Sequence, residues 1–352
     1  PFVYTAALAK SYTPATLIND APVGFEDDAL DASWRPENYS GKFFGPTRLR
    51  YALTKSRNLV SIRLVRSIGI QNTLNHAALF GFDPDKLPHN LSIALGSANV
   101  TPLQMVRGYS ALSNGGFLIE PYLIDTITDG LGNQVFKATP AIVCEDCEKA
   151  VDVKEETETE LKQLTEPAVE PAVNYAPRII SAENRFIMYS MMQDVIQRGT
   201  ATRAKVLKRA DLAGKTGTTN DQRDAWFNGY NQSIATTIWV GFDDNSKLGR
   251  REFGGSAALP GWIHYMRKAL EDDPEDNPPS MPEGMVSIRI DPETGKLAAI
   301  GQKDAIFEVF RAEYAPTERA KQAISLPNDS SSTETNPVPP SSGGSAMTEG
   351  LF

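Results

Sequence analysis

Two short runs in the chain carry side chains that could do chemistry together. Lys215-Thr216-Gly217-Thr218 stands in "DLAGKTGTTNDQRDAWFNGY", between an apolar lead-in and an aromatic run that alternates like strands. Thr216 and Thr218 lie two apart, so on a strand their hydroxyls share one face and can jointly hold a carboxylate. Lys215 is expected to point the same way and to make that pocket positive. Gly217 leaves room for a substrate backbone to come close. The plain alternative is an edge strand with a solvated lysine. The second run is Ser56-Arg57-Asn58 in "LTKSRNLVSI", a turn between two helices. Such a loop can aim a hydroxyl and an amide into a cleft. Its plain alternative is a helix N-cap made by Ser56 or Asn58.

The flanking segments must position these runs. A helix is expected from about Arg48, and a second over "NLVSIRLVRSIG", where Leu59, Val60, Ile62, Leu64 and Val65 are apolar and Gly69 stops it. "QNTLNHAALFG" and "TPLQMVRGYSALSNGG" read as two more. The latter is opened by Thr101 with Pro102 at its first position and closed by Gly115-Gly116. Ser181 caps "AENRFIMYSMMQDVIQRG", which Gly199 ends. Residues 212–218, 225–230 and "SIATTIWVGFDD" read as three strands joined by short turns, an antiparallel meander. "ALPGWIHYMRKALED" closes over it with Trp262, Ile263, Met266 and Leu270 on one face. "YLIDTITDGLGNQVFKA" alternates on both arms of a Gly-Asn turn and reads as a hairpin. "MVSIRIDPETGKLA" is a smaller hairpin-like piece, and residues 15–39 form a long loop with short strands. Helices followed by a short antiparallel sheet and a closing helix give an α+β fold.

The chain has 352 residues, enough for one large domain with appendages or two domains, and its 41% hydrophobic content suits a globular core. A net charge of −9 argues against a nucleic-acid partner. Cys144 and Cys147 form a lone C-x-x-C with no second pair or nearby histidine, so no metal site is expected; a local disulfide or two idle thiols remain. Residues 145–178 are acidic and proline-interrupted and read as a solvated insertion; from about Ala315 the composition is that of a disordered tail. "PFVYTAALAK" resembles the middle of a buried helix, with Phe2, Val3, Ala6, Ala7 and Leu8 on an apolar face and Pro1 in its first turn. It reads as the start of a fragment, and its apolar face is expected to lack the strands it would pack on, leaving the fragment poorly stable.

Taken together, S-R-N and K-T-G resemble two of the three motifs of the active-site-serine penicillin-binding enzymes, S-x-x-K, S-x-N and K-T-G. The similarity extends through "WRPENYSGKFFGPTRLRYALTKSRNLVSIRLVRSIGI", "DVIQRGTATRA" and "DLAGKTGTTNDQRDAWFNGY" with "IWVGFDDN". Over roughly Pro1 to Leu270 the chain resembles the transpeptidase domain of class A penicillin-binding proteins, the bifunctional peptidoglycan synthases of Gram-negative bacteria, close to their type-1a branch. In that family S-x-x-K runs directly into P-F-V-Y-T-A-A-L, with which this chain begins, and no S-x-x-K occurs within it. The nucleophilic serine and its lysine are therefore expected upstream of residue 1, with the first sheet strands, a glycosyltransferase domain and a membrane anchor.

The resemblance implies an α+β penicillin-binding/serine β-lactamase-like fold missing its first strands: a transpeptidase domain over 1–272 with the insertion at 145–178, a linker and small β-rich extension over 273–314, and a tail over 315–352. It implies acyl transfer on peptidoglycan stem peptides ending in D-Ala-D-Ala, at the periplasmic face of the inner membrane, without a cofactor, and inhibition by β-lactam antibiotics. Ser56 would relay a proton to the leaving amine, and Asn58 would hold the upstream lysine and the donor amide. Lys215 would bond Ser56. Thr216 and Thr218 would bind the terminal carboxylate beside Gly217, and the Thr218 N–H would be half of the oxyanion hole. A D,D-carboxypeptidase or β-lactamase of the same superfamily, or a non-catalytic β-lactam sensor or interaction module, stays open, and protein partners are left unassigned.

Overall fold

The computed structural model describes residues 1–24, 34–144, 173–275 and 278–321. Its compact unit runs from Pro1 to Ala320. The apolar segment at the start is helix α1 (Phe2–Leu8), and it is well housed. Tyr4, Ala6, Ala7 and Leu8 are buried, and Phe2 meets Phe80, Phe82 and Tyr109 edge-on at 4.9, 5.0 and 5.6 Å. The expectation that this face lacks a packing partner is thus corrected. Its partners are helices, because the period of its apolar residues matches a helical groove as well as a sheet.

Around α1 stand α2 (Leu49–Lys55), α3 (Asn58–Ile68), α4 (Ile70–Leu79), α5 (Pro102–Ser113) and α6 (Ala182–Arg198). All five apolar residues expected on the face of α3 are buried. Thr101 and Gln104 close a reciprocal capping box at the start of α5, with bonds of 3.2 and 2.8 Å. Such caps contribute about 1 kcal/mol. Ser181 caps α6 by accepting from the Asn184 N–H.

The short strands β1 (Leu17–Asp20) and β2 (Gly45–Arg48) pair antiparallel, and so do β3 (Thr126–Thr128) and β4 (Gln134–Lys137), an exposed hairpin. The meander is β5 (Ala213–Thr218), β6 (Asp224–Tyr230) and β7 (Ala235–Gly241), in that order. One face of β6 turns Ala225 and Phe227 onto α7 (Leu259–Ala269), where Phe227 meets Trp262 at 4.9 Å. The other turns Tyr230 into the helical core beside Tyr109 and Tyr189. Side-chain alternation thus places one sheet between two cores.

Three further expectations shift. "MVSIRI" forms β8 (Met285–Ile290), but it pairs along its length with β9 (Ile306–Arg311) rather than with the Lys296-Leu297-Ala298 arm, which supplies one bridge at Leu297. Of the stretch 145–178, Ala176 is buried and Arg178 donates to the Gly115 carbonyl at 2.7 Å, so its last residues belong to the fold. Residues 315–320 do too, with the Ala320 N–H bonded to the Leu297 carbonyl. Residues 145–172 and 322–352 lie outside the described residues. Cys144 is disulfide-bonded, and Cys147 lies outside them.

Candidate active site

Helix α2 ends at Ser56 in left-handed backbone, φ 54° and ψ 55°. A residue with a Cβ pays roughly 1–2 kcal/mol there, a cost that glycine would avoid and that keeps a hydroxyl in the turn. Neither Ser56 nor Asn58 caps α3: the N-cap is Arg57, which makes no side-chain cap bond. Instead the turn is held from outside. Asn38 accepts from the Asn58 N–H at 2.9 Å and donates to Asp20 at 2.7 Å and to the Lys42 carbonyl at 2.9 Å. Arg57 lies over the Phe44 ring at 3.4 Å and faces buried Asp20 at 3.9 Å. The Asn58 side-chain amide donates to the Glu37 carbonyl at 2.8 Å, which leaves its oxygen free of that bond.

The K-T-G run is β5, an edge strand of its sheet among the described residues. Strict alternation places Lys215 and Gly217 on the face toward Ser56 and Thr216 and Thr218 on the other, so Lys215 does not point the same way as the threonines. The two faces meet only at the free edge. The ladder bond from the Thr219 N–H to the Asp224 carbonyl sets the phase. Residues 217 and 215 then bond β6, and the N–H groups of Thr216 and Thr218 turn to the open edge. A Cβ on Gly217 would come within 3.0 Å of Trp226 Cβ.

Strand and turn meet across one cavity of about 630 Å³, whose lining includes Ser56, Asn58, Lys215, Thr216, Gly217 and Thr218. Lys215 Nζ donates to Ser56 Oγ at 2.9 Å and to the Thr216 carbonyl at 2.9 Å. The lysine stem keeps some exposure, but its amine is enclosed, and burial pushes its pKa down to about 8. Pro1 lines the same cavity.

Sequence reasoning missed the groups that set the threonine hydroxyls. Thr218 Oγ1 accepts from the Gly254 N–H at 3.0 Å, so its own proton is left to donate. Thr216 Oγ1 pairs with Thr200 Oγ1 at 2.7 Å. Thr200 follows Gly199, where a Cβ would stand 2.4 Å from the Thr54 carbonyl, so only a bare residue lets α2 and α6 converge here. No local signal marks Asn38, Thr200 or Gly254, since each acts through a partner far away in sequence.

The model of the penicillin-binding protein transpeptidase domain matches residues 1–258, and the chain belongs to that family. The chain is similar to penicillin-binding protein 1A of Pseudomonas aeruginosa, 46% identical over 334 residues, covering 90% of this chain and 40% of the relative. It is 38% identical to that of Vibrio cholerae over 349 residues, 92% of this chain and 41% of the relative. The solved structure of penicillin-binding protein 1A from Haemophilus influenzae superposes with a TM-score of 0.80 at 37% identity, covering 91% of this chain and 48% of that one. PonA1 of Mycobacterium tuberculosis, in complex with penicillin V, shares the fold at a TM-score of 0.62 and 20% identity, covering 80% of this chain and 70% of that one. The fold is therefore the α+β fold of penicillin-binding transpeptidases, and the chain spans about two-fifths of the length of the curated relatives named here.

Proposed function

We propose that this chain is most of the transpeptidase domain of a bifunctional peptidoglycan synthase. It cross-links stem peptides ending in D-Ala-D-Ala through an acyl-serine and is acylated by β-lactams. The observation that carries this reading is the 2.9 Å bond from Lys215 to Ser56, which joins the K-T-G strand to the S-R-N turn at one cavity. The nucleophilic serine and its lysine belong to a segment upstream of Pro1, since the chain holds no S-x-x-K and covers 40% of its relative's length.

The serine hydroxyl attacks the penultimate carbonyl as the upstream lysine takes its proton. The tetrahedral oxyanion faces the Thr218 N–H on the open edge of β5; one such donor contributes about 2.7–4 kcal/mol. The Thr216 and Thr218 hydroxyls bind the terminal carboxylate, with Lys215 supplying positive charge. Ser56, its oxygen fixed by Lys215, passes a proton to the leaving amine, and Asn58 offers its free oxygen to the upstream lysine. An amine of a second stem resolves the acyl-enzyme. The whole protein carries a glycosyltransferase domain and a membrane anchor and acts at the periplasmic face of the inner membrane.

A fluorescent penicillin tests this on two chains, the 352 residues alone and the same chain extended upstream through S-x-x-K. Labelling of the extended chain only is expected; labelling of the short chain would place the nucleophile elsewhere. Incubation of the extended chain with paired stem peptides then separates cross-linking from hydrolysis by its products.

A further inference from the structure

Hairpin β8–β9 lies beyond the residues that the family model matches, which end at 258, yet β9 bonds α2 and α1, two of the helices that line the cavity. Glu308 points inward from β9 and is 2% exposed. It accepts from Arg50 Nε at 3.0 and 2.8 Å and from Arg50 Nη2 at 2.6 Å. Arg50, 8% exposed, continues through Nη1 to Ser190 at 3.0 Å and Asp194 at 3.2 Å on α6. Arg48 adds a 2.8 Å bond to the Pro292 carbonyl, in the loop after β8. Three residues beyond Glu308, Arg311 Nη2 donates to the Leu8 carbonyl at 2.8 Å and to the Lys10 carbonyl, at the far end of α1.

The geometry has one logic. Arg50 is in the first turn of α2, and Ser56 ends that helix; Leu8 closes α1, and Pro1 opens it in the cavity. Each helix is held by β9 at the end away from the cavity. A seven-residue helix is about 10 Å long, so a shift at the held end reaches the other. A buried ion pair is weak evidence for stability, because apolar residues of similar volume often serve as well. What the forked Arg50–Glu308 contact adds is a fixed direction and distance.

We propose that β9 is a positioning element for the cavity, in which Glu308 and Arg311 set the placement of α2 and α1 and so the approach of Ser56 to Lys215. The proposal rests on the reading of the cavity as an acylation site.

The test uses the full-length protein carrying R50M/E308M, which keeps side-chain volume and leaves Asp194 paired with Arg198. E308Q is the second variant. K296A, which breaks the exposed Lys296–Glu318 pair after β8, is the control. Thermal unfolding is measured with the rate of fluorescent-penicillin acylation per folded molecule, from neutral to alkaline pH. R50M/E308M is expected to stay folded and to acylate at least about tenfold more slowly, since a misplacement near 1 Å costs as much. Its alkaline limb should move up as Lys215 loses enclosure, and K296A should match the parent. An unchanged rate and limb in folded R50M/E308M overturns the proposal, as does a loss that vanishes on normalising to folded protein. If that variant does not fold, E308Q decides by the same two readouts. Failure of the parent to take the label would count against the acylation reading alone; faster amide exchange at Ser56–Asn58 in R50M/E308M would then support the brace, and unchanged exchange would overturn it.

Discussion

The two walls of the cavity are built on different principles. The K-T-G wall is an edge strand, and its ladder with β6 dictates which groups face the opening. The S-R-N wall is a left-handed turn with no ladder of its own, held by the Asn38 amide, by Asp20 and by Arg57 over Phe44. A strand wall tolerates change at single side chains because backbone bonds position it. A turn wall depends on a few buried polar contacts, and losing one leaves another group unpaired. The lysine that joins them belongs to the rigid side and reaches toward the strained one.

Substitutions on either wall can break or sharpen this contrast, and each is read in the full-length protein. The largest effect is expected from Lys215→Met: acylation by penicillin should fall by about 10²–10³-fold, the range for losing one preorganised donor and its charge at the transition state. The same variant should unfold at a higher temperature. At neutral pH the enclosed ammonium is disfavoured in the fold, whose Lys215 pKa of about 8 lies below the ordinary 10.5, so removing the charge relieves the native state. An unaltered acylation rate would remove Lys215 from the site.

Asn38→Ala comes next. It strips the Asn58 N–H and Asp20 of partners, so a loss of about 1–3 kcal/mol in stability is expected, with slower acylation per folded molecule. Denaturant unfolding and labelling kinetics measure the two. The pH profile should show a smaller, graded effect. If charged Lys215 is the working form, acylation falls as pH rises through about 8, and the ordinary lysine value of 10.5 would place that fall much higher. Smallest is Thr200→Val, which frees the Thr216 hydroxyl from its 2.7 Å partner. About a tenfold or smaller loss is expected, mostly in binding of carboxylate-bearing substrates, because one neutral hydrogen bond is worth about 0.5–1.5 kcal/mol.

The same contrast decides what could be read from the chain. Helix α3, the meander and the Thr101-Pro102 cap were legible because neighbours in sequence determine them. The orientation of Lys215 against Thr216 was misread: both belong to one motif, but a strand separates consecutive side chains, and only the free edge reunites them. Strand β9 was hidden because its pattern is inverted, with Glu308 buried and Phe307 72% exposed. Its partner Arg50 lies 258 residues away. Asn38 and Thr200 were invisible for the same reason, since a polar residue in a loop has no periodicity until its partner is known.

The most direct test of the central claim is a double-mutant cycle on Ser56 and Lys215, read as the acylation rate of the full-length protein by a fluorescent penicillin. Groups that act as one unit are not additive. With S56A, K215M and S56A/K215M compared, the double variant is expected to be no slower than the slower single variant. Losses that multiply across the two sites would contradict a working Lys215–Ser56 pair.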